Sequence, residues 1–176
     1  MCFGVVRKGH LEMIGHNCRI LLVDDDTSSL EVLREVLTRA SYDVVSAESG
    51  YEALKTVQEH SIDLAILDFN LPDTTGSELL QQIKQFQPSV PVIIMSANTS
   101  QSVKFDVFEA GAYTFISKPI ALPQLLRFAT RALSLKQQWT SDHRGSRQEM
   151  PPDGNTDTIQ IKRSIFFRWI RIIKHK

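Results

Sequence analysis

Short aliphatic runs alternate along the chain with segments whose apolar residues recur every three to four positions. The runs are Arg19–Val23 (RILLV), Val44–Ala47 (VVSA), Leu64–Leu67 (LAIL), Val92–Met95 (VIIM) and Tyr113–Ile116 (YTFI). Each has strand length and turn residues at its borders, and near-continuous apolarity suits a strand covered on both faces, as in a parallel sheet. Between the runs, Leu30, Leu33, Leu37 and Ala40 mark a first helix, for which Ser28 and Glu31 offer a capping box. Ser49 and Glu52 offer a second box before YEALKTVQEH. GSELLQQIKQF predicts a third helix closed by Pro88, SVKFDVFEAGA a fourth stopped at Gly111, and LPQLLRFATRALSL a fifth opened by Pro123. Five strand–helix repeats predict an α/β protein: a doubly wound, five-stranded parallel sheet with helices on both faces. Such sheets bind ligands outside the carboxyl ends of their strands.

Composition adds one domain-level feature. The 176 residues carry zero formal net charge, but residues 19–135 sum to −6 and residues 136–176 to +5. The expected layout is an N-terminal extension over 1–18, an acidic domain over 19–136, a flexible linker over 137–157 and a basic amphipathic tail over 158–176. Met13 offers an alternative start to Met1. Cys2 and Cys18 have no metal-ligand spacing and form no disulfide framework, and no apolar run approaches the roughly 20 residues of a membrane span. A cytoplasmic location is the expectation.

The chemistry lies just past the strands. Asp24 and Asp25 follow the first, Asp68 the third (ILDFNLPDTTG), Ser96 the fourth (IIMSAN) and Lys118 the fifth (FISKPI). The run VDDD admits two readings on its own, a helix cap or a cation site. Carboxylates about 4 Å apart repel by roughly 1–4 kcal/mol per pair, so a bound cation would explain their adjacency. One at a time, each residue has a plain structural role open to it. Jointly, three carboxylates, a hydroxyl and an ammonium are aimed at one crevice by the topology.

The ordered set VDDD, LDFNLPDTTG, SA and KP, with its spacing, resembles the receiver domain of two-component response regulators over about Arg19 to Leu135. That resemblance implies a flavodoxin-like receiver fold and a Mg²⁺-dependent phosphorelay. Asp68 would be the phosphoacceptor, served by a sensor histidine kinase or a histidine phosphotransfer protein. Asp25, Asp68 and the backbone carbonyl of Asn70 would ligate Mg²⁺, and Asp24 would act largely through a metal-bound water. Lys118 would pair first with Asp68 and then with the phosphoryl group, across a Lys118–Pro119 bond that is typically cis. Ser96 would move toward the phosphoryl group and Phe115 would swing from exposed to buried, switching the face formed by the fourth helix, fifth strand and fifth helix for a downstream effector or for homodimerisation. Asn70 and Asn98 lie two residues beyond Asp68 and Ser96, at positions that in the resembled family tend to tune phosphoryl lifetime. Within this picture Asp26 is a rim residue and Ser28 the helix cap.

Two alternatives remain. Asp24-x-Asp26 matches the nucleophile pattern of haloacid-dehalogenase-like phosphatases, which also use Mg²⁺, although no cap insertion follows and Asp68 and Lys118 would have no role. The chain could also be the detached receiver of a hybrid kinase or transcription factor. Nothing points to nucleic acid, and the tail is too short for a winged-helix module. Residues 158–176 place Ile165, Phe166, Trp169, Ile170, Ile172 and Ile173 opposite Arg168, Arg171, Lys174 and His175 on a helical wheel. They could lie on an anionic membrane, contact a partner, fold back on the acidic domain, or be the remnant of a lost output domain.

Overall fold

The computed structural model describes residues 18–142, with side chains to residue 137. Residues 1–17 of the expected 1–18 extension, most of the linker and the basic tail lie outside the described residues. The elements run β1 (Arg19–Val23), α1 (Thr27–Arg39), β2 (Asp43–Ala47), α2 (Gly50–Glu59), β3 (Leu64–Asp68), α3 (Gly76–Phe86), β4 (Val92–Ser96), α4 (Gln101–Glu109), β5 (Thr114–Ser117) and α5 (Leu122–Asp142). The five strands form one parallel sheet in the order β2-β1-β3-β4-β5.

The apolar runs are continuous because alternate residues serve two cores. On one face Leu21, Val23, Ala65, Leu67 and Ile94 pack against Ala53 and Val57 of α2, Leu79, Leu80 and Ile83 of α3, and Val103 and Val107 of α4. On the other, Ile20, Leu22, Leu64, Ile66, Ile93 and Met95 pack against Leu30, Leu33 and Leu37 of α1 and Leu125, Ala129 and Leu133 of α5. Each fully buried Leu or Ile contributes about 1.5–3 kcal/mol, which makes this double burial the main stabilising term. Strand order reverses between β1 and β3, whose carboxyl ends therefore flank the switch-point crevice.

Several boundaries differ from the expected ones, for local reasons. Asp68 and Ser96 close their strands instead of following them, because the ladder continues through the pairs Asp68↔Met95 and Ser96↔Ser117. β5 starts at Thr114 and not Tyr113. The fifth helix continues to Asp142, so residues 137–142, expected to belong to the linker, are helical.

The α1 cap is a correction. Asp26, not Ser28, is the N-cap: its carboxylate accepts the Ser28 N–H at 3.0 Å and the Ser29 hydroxyl at 2.7 Å. Ser28 already lies inside the first turn, so its side chain cannot take the capping position. The Ser29 hydroxyl and the Ser28 amide hold the Asp26 carboxyl below its usual range.

The second box is half formed. Ser49 accepts the Glu52 N–H at 3.3 Å, but the Glu52 carboxylate turns to the Glu48 amide. A complete box, Thr75 with Glu78, opens α3. Gly111 ends the fourth helical segment at φ 94°, in the left-handed region that favours glycine.

At the amino edge of the sheet, the Gln87 amide donates to Val57 O and His60 O, both at 2.7 Å, and accepts Ile62 N–H at 2.9 Å. Beside it, Lys84 reaches from α3 to the carbonyls of Pro88 and Val90. Burial, with Lys136 nearby, lowers the Lys84 pKa from 10.5 to about 8. The folded state thus sheds this proton before the unfolded chain does, and stability gained from Lys84 grows as pH rises from 8 to 10.5. Urea unfolding of wild type and Lys84→Met should show the difference between them moving toward wild type over that interval, by up to about 3 kcal/mol.

Candidate functional site

Three polar side chains are buried at the carboxyl edge: Asp24 (0 % exposed), Asp68 (6 %) and Ser96 (0 %). The sheet puts them there. Val23 pairs with Leu67 across β1 and β3, so the next residue of each chain segment, Asp24 and Asp68, arrives at the same level. Asp25 is exposed beside them, and one carboxylate oxygen from each of the three acids lies within 4.8 Å of the others.

Lys118 enters from the end of β5. Its Nζ donates to Asp24 Oδ2 at 2.8 Å and lies 3.1 Å from Asp68 Oδ1, off the alignment of a hydrogen bond. Asp68 Oδ1 is therefore buried and held by this ion pair, with no well-aligned hydrogen bond. The expected first partner of Lys118 was Asp68. Lys118 is ion-paired with Asp68 and with Asp24 alike, and its aligned hydrogen bond goes to Asp24, whose Oδ1 accepts the Asp26 N–H at 3.1 Å.

Burial pushes the Asp68 carboxyl above its ordinary value, with the Asp24 charge adding to this and Lys118 opposing it. Burial would lower Lys118, but its hydrogen bond to Asp24 and the Asp68 charge outweigh that and raise it. The Lys118–Pro119 bond is cis, as expected.

The other expected residues lie around this cluster at different depths. Ser96 Oγ accepts the Asn98 N–H at 3.0 Å, while the Ser96 carbonyl accepts the Lys118 N–H at 2.8 Å, joining the ends of β4 and β5. Phe115 is half-buried against the core of the α2–α3–α4 face, with Lys104 Nζ 5.7 Å from its ring centre. Asn70 is exposed in a loop closed by its bridge to Thr75. Asp26 turns to the helix start, so Asp24-x-Asp26 does not form the paired acids of the phosphatase alternative.

Residues 20–130 match the response regulator receiver domain family. The chain belongs to that family. Similar curated proteins include the transcriptional regulatory protein ZraR of Klebsiella oxytoca, 35 % identical over 69 % of this chain and 28 % of its own length. The DNA-binding transcriptional regulator NtrC of a Bradyrhizobium is 33 % identical over 81 % of this chain and 28 % of its own. This receiver chain thus spans under a third of the length of those relatives.

Among solved structures, a CheY-like receiver domain protein from Methanospirillum hungatei aligns with a TM-score of 0.67 and 30 % identity, over 69 % of this chain and 97 % of its own. CheY in the CheX–CheY–BeF₃–Mg²⁺ complex of Borrelia burgdorferi aligns at 0.62 and 28 %, over 65 % of this chain and 87 % of that one. The protein is a receiver of two-component phosphorelay signalling with the CheY-like flavodoxin fold. The phosphatase alternative has no support in these relationships.

The receiver's acids also fit a divalent metal. Asp24, Asp25 and Asp68 each bring one carboxylate oxygen within 4.8 Å of the others, and a single ammonium, Lys118, is paired with two of the three acids. Hard oxygen donors of this kind suit Mg²⁺.

Two residues of the motif LDFNLPDTTG escaped notice as site residues. Asp73 binds backbone of α2. Gly76 brings the start of α3 against the end of β3, where its N–H donates to Phe69 O at 2.7 Å. A Cβ at Gly76 would lie 2.6 Å from Asp68 O and 2.9 Å from Phe69 Cα. Both atoms are backbone, so nothing flexible can yield. Gly76→Ala should lower unfolding stability in urea by about 1–3 kcal/mol. Gln81→Ala, exposed on the same helix, should stay near wild type.

Proposed function

We propose that Asp68 accepts a phosphoryl group from a phosphohistidine of a sensor kinase or phosphotransfer protein, and that Lys118 and Ser96 then report its presence. The observation that carries this reading is the buried Asp68 carboxylate, ion-paired with Lys118 and grouped with two further carboxylates. A carboxylate oxygen attacks phosphorus, the phosphorus–nitrogen bond breaks, and the imidazole leaves. Phosphoryl transfer needs positioning and charge neutralisation more than covalent help. Asp24, Asp25, Asp68 and the Asn70 carbonyl would hold Mg²⁺. When bound, it supplies the positive charge that lets one anion approach another.

The chain's own residues do the rest. Lys118, a compact and mobile point charge, exchanges Asp24 for the phosphoryl oxygens. Ser96 turns its hydroxyl to the same group. Because Ser96 O holds Lys118 N–H and Ile94 pairs with Phe115, a shift at Ser96 reaches β5 and the Phe115 ring directly. The response is a population shift between two packings of α4, β5 and α5.

α4 presents Phe105 and Phe108 outward, 66 % and 48 % exposed, which suits an effector or a second copy of the receiver. The protein so read is a cytoplasmic switch that turns over only its own phosphoryl group. Among the described residues no helix is long and apolar enough to cross a membrane. The 158–176 tail is left for a membrane surface or a partner.

Incubation with acetyl phosphate and Mg²⁺ tests the assignment. Wild type should take up about one alkali-labile phosphoryl group per chain, as expected of one aspartyl phosphate, and Asp68→Asn none. Equal labelling of the two would overturn it. Lys118→Ala should still be phosphorylated, yet amide exchange over α4 and β5 should no longer respond to phosphorylation; a wild-type response in that variant would remove Lys118 from the switch.

A further inference from the structure

One acid in the loop after β3 takes no part in the pocket. Asp73 lies five residues past Asp68, and its two oxygens accept the Gly50 N–H and the Tyr51 N–H, each at 2.9 Å. These are the first amides of α2, which have no acceptor within their own helix. α2 already carries a local cap in Ser49, bonded to Glu52 N–H. Asp73 is thus a second cap, delivered from 22 and 23 residues away.

The consequence lies in what the two ends of that clamp carry. On the loop side, Asn70 stands between Asp68 and Asp73 in the chain, and the loop is pinned at its base by Phe69 N–H to Met95 O (2.8 Å) and Gly76 N–H to Phe69 O (2.7 Å). Those bonds fix its base, the Asn70–Thr75 bridge and Leu71 N–H to Thr74 O (3.2 Å) close its crown, and Asp73 ties that crown to α2. On the α2 side, the preceding corner is bonded to the other wall of the pocket, where Asp24 N–H donates to Ala47 O at 3.3 Å.

Close packing reinforces the contact. A Cβ on Gly50 would meet Thr74 Cγ2 at 2.4 Å. The Gly50 and Tyr51 amides hold the Asp73 carboxyl below its ordinary value, so the clamp keeps its charge further into acid.

We infer that Asp73 is a positioning residue for the acidic pocket: by tying the β3–α3 loop to the N-terminus of α2, it holds the backbone around Asn70 in the conformation that a divalent cation requires. This rests on the reading of the pocket as a Mg²⁺ site, and the test separates the two. The full chain, stripped of metal, is titrated with Mg²⁺ and followed by amide chemical shifts, with hydrogen exchange over residues 69–75 measured before Mg²⁺ is added. Asp73→Ala should raise the half-saturating Mg²⁺ concentration by about tenfold, the scale on which ligand-orienting groups act, and should speed exchange in the loop. Asp73→Asn keeps one acceptor oxygen and should fall between, which also decides the matter if the alanine variant folds poorly. Ser49→Ala removes the other α2 cap without touching the loop and should titrate like wild type.

Wild-type Mg²⁺ response in Asp73→Ala, or an equal loss in Ser49→Ala, would overturn the inference and leave a simple helix cap. A wild-type chain indifferent to Mg²⁺ would overturn both it and the metal reading.

Discussion

Asp24 and Asp68 are held side by side at the ends of neighbouring strands, out of water, with Lys118 touching both. At about 4 Å, two like charges cost roughly 4 kcal/mol where the effective dielectric is near 20. One ammonium offsets part of that, and it commits its hydrogen bond to Asp24. Asp68 is left as the less satisfied partner, and its raised proton affinity expresses the same shortfall. The pocket is therefore short of positive charge, which is the physical basis of the proposal that it takes up a cation.

The rest of the fold makes that arrangement rigid. Parallel pairing of β1 with β3 sets the level of the two acids, and both faces of those strands are sealed by helices. The loops at the carboxyl edge are then bonded to one another through backbone: Asp24 to Ala47, Phe69 to Met95, Gly76 to Phe69 and Lys118 to Ser96. Backbone bonds of this kind leave side chains free for chemistry. They also connect β4 to β5, so that a change at Ser96 has a direct mechanical route to Phe115. The opposite edge of the sheet is stitched by Gln87 and Lys84 and carries no comparable cluster of acids among the described residues.

Reading residues in order recovered the five strands, the five helices and the four positions of Asp24, Asp68, Ser96 and Lys118, because all depend on short-range periodicity and on a topology with few alternatives. The misjudged details have physical causes. Asp26 and Ser28 both have capping side chains, and the helix begins one residue after Asp26, which puts Ser28 in its first turn. TTGSE carries a readable capping box at Thr75 and Glu78, overlooked beside the acids of the same motif. The helix over Leu122–Asp142 outlasts its apolar stripe, since polar residues such as Lys136 still find partners on the domain, at Ile62 O and Asp63.

From the sequence alone came the alternation of strands and helices, the doubly wound sheet, and the fact that acids, a hydroxyl and a lysine end its strands on one edge. These are consequences of local pattern: which side chains can be buried on both faces, and where a strand must stop. Which carboxylate Lys118 bonds and how Asp73 reaches the amides of α2 were settled by tertiary structure. Those choices compare partners separated by 22 to 94 residues at distances of about 3 Å, and no local pattern encodes such a comparison. Only the closed sheet brings the competing groups within reach of one another.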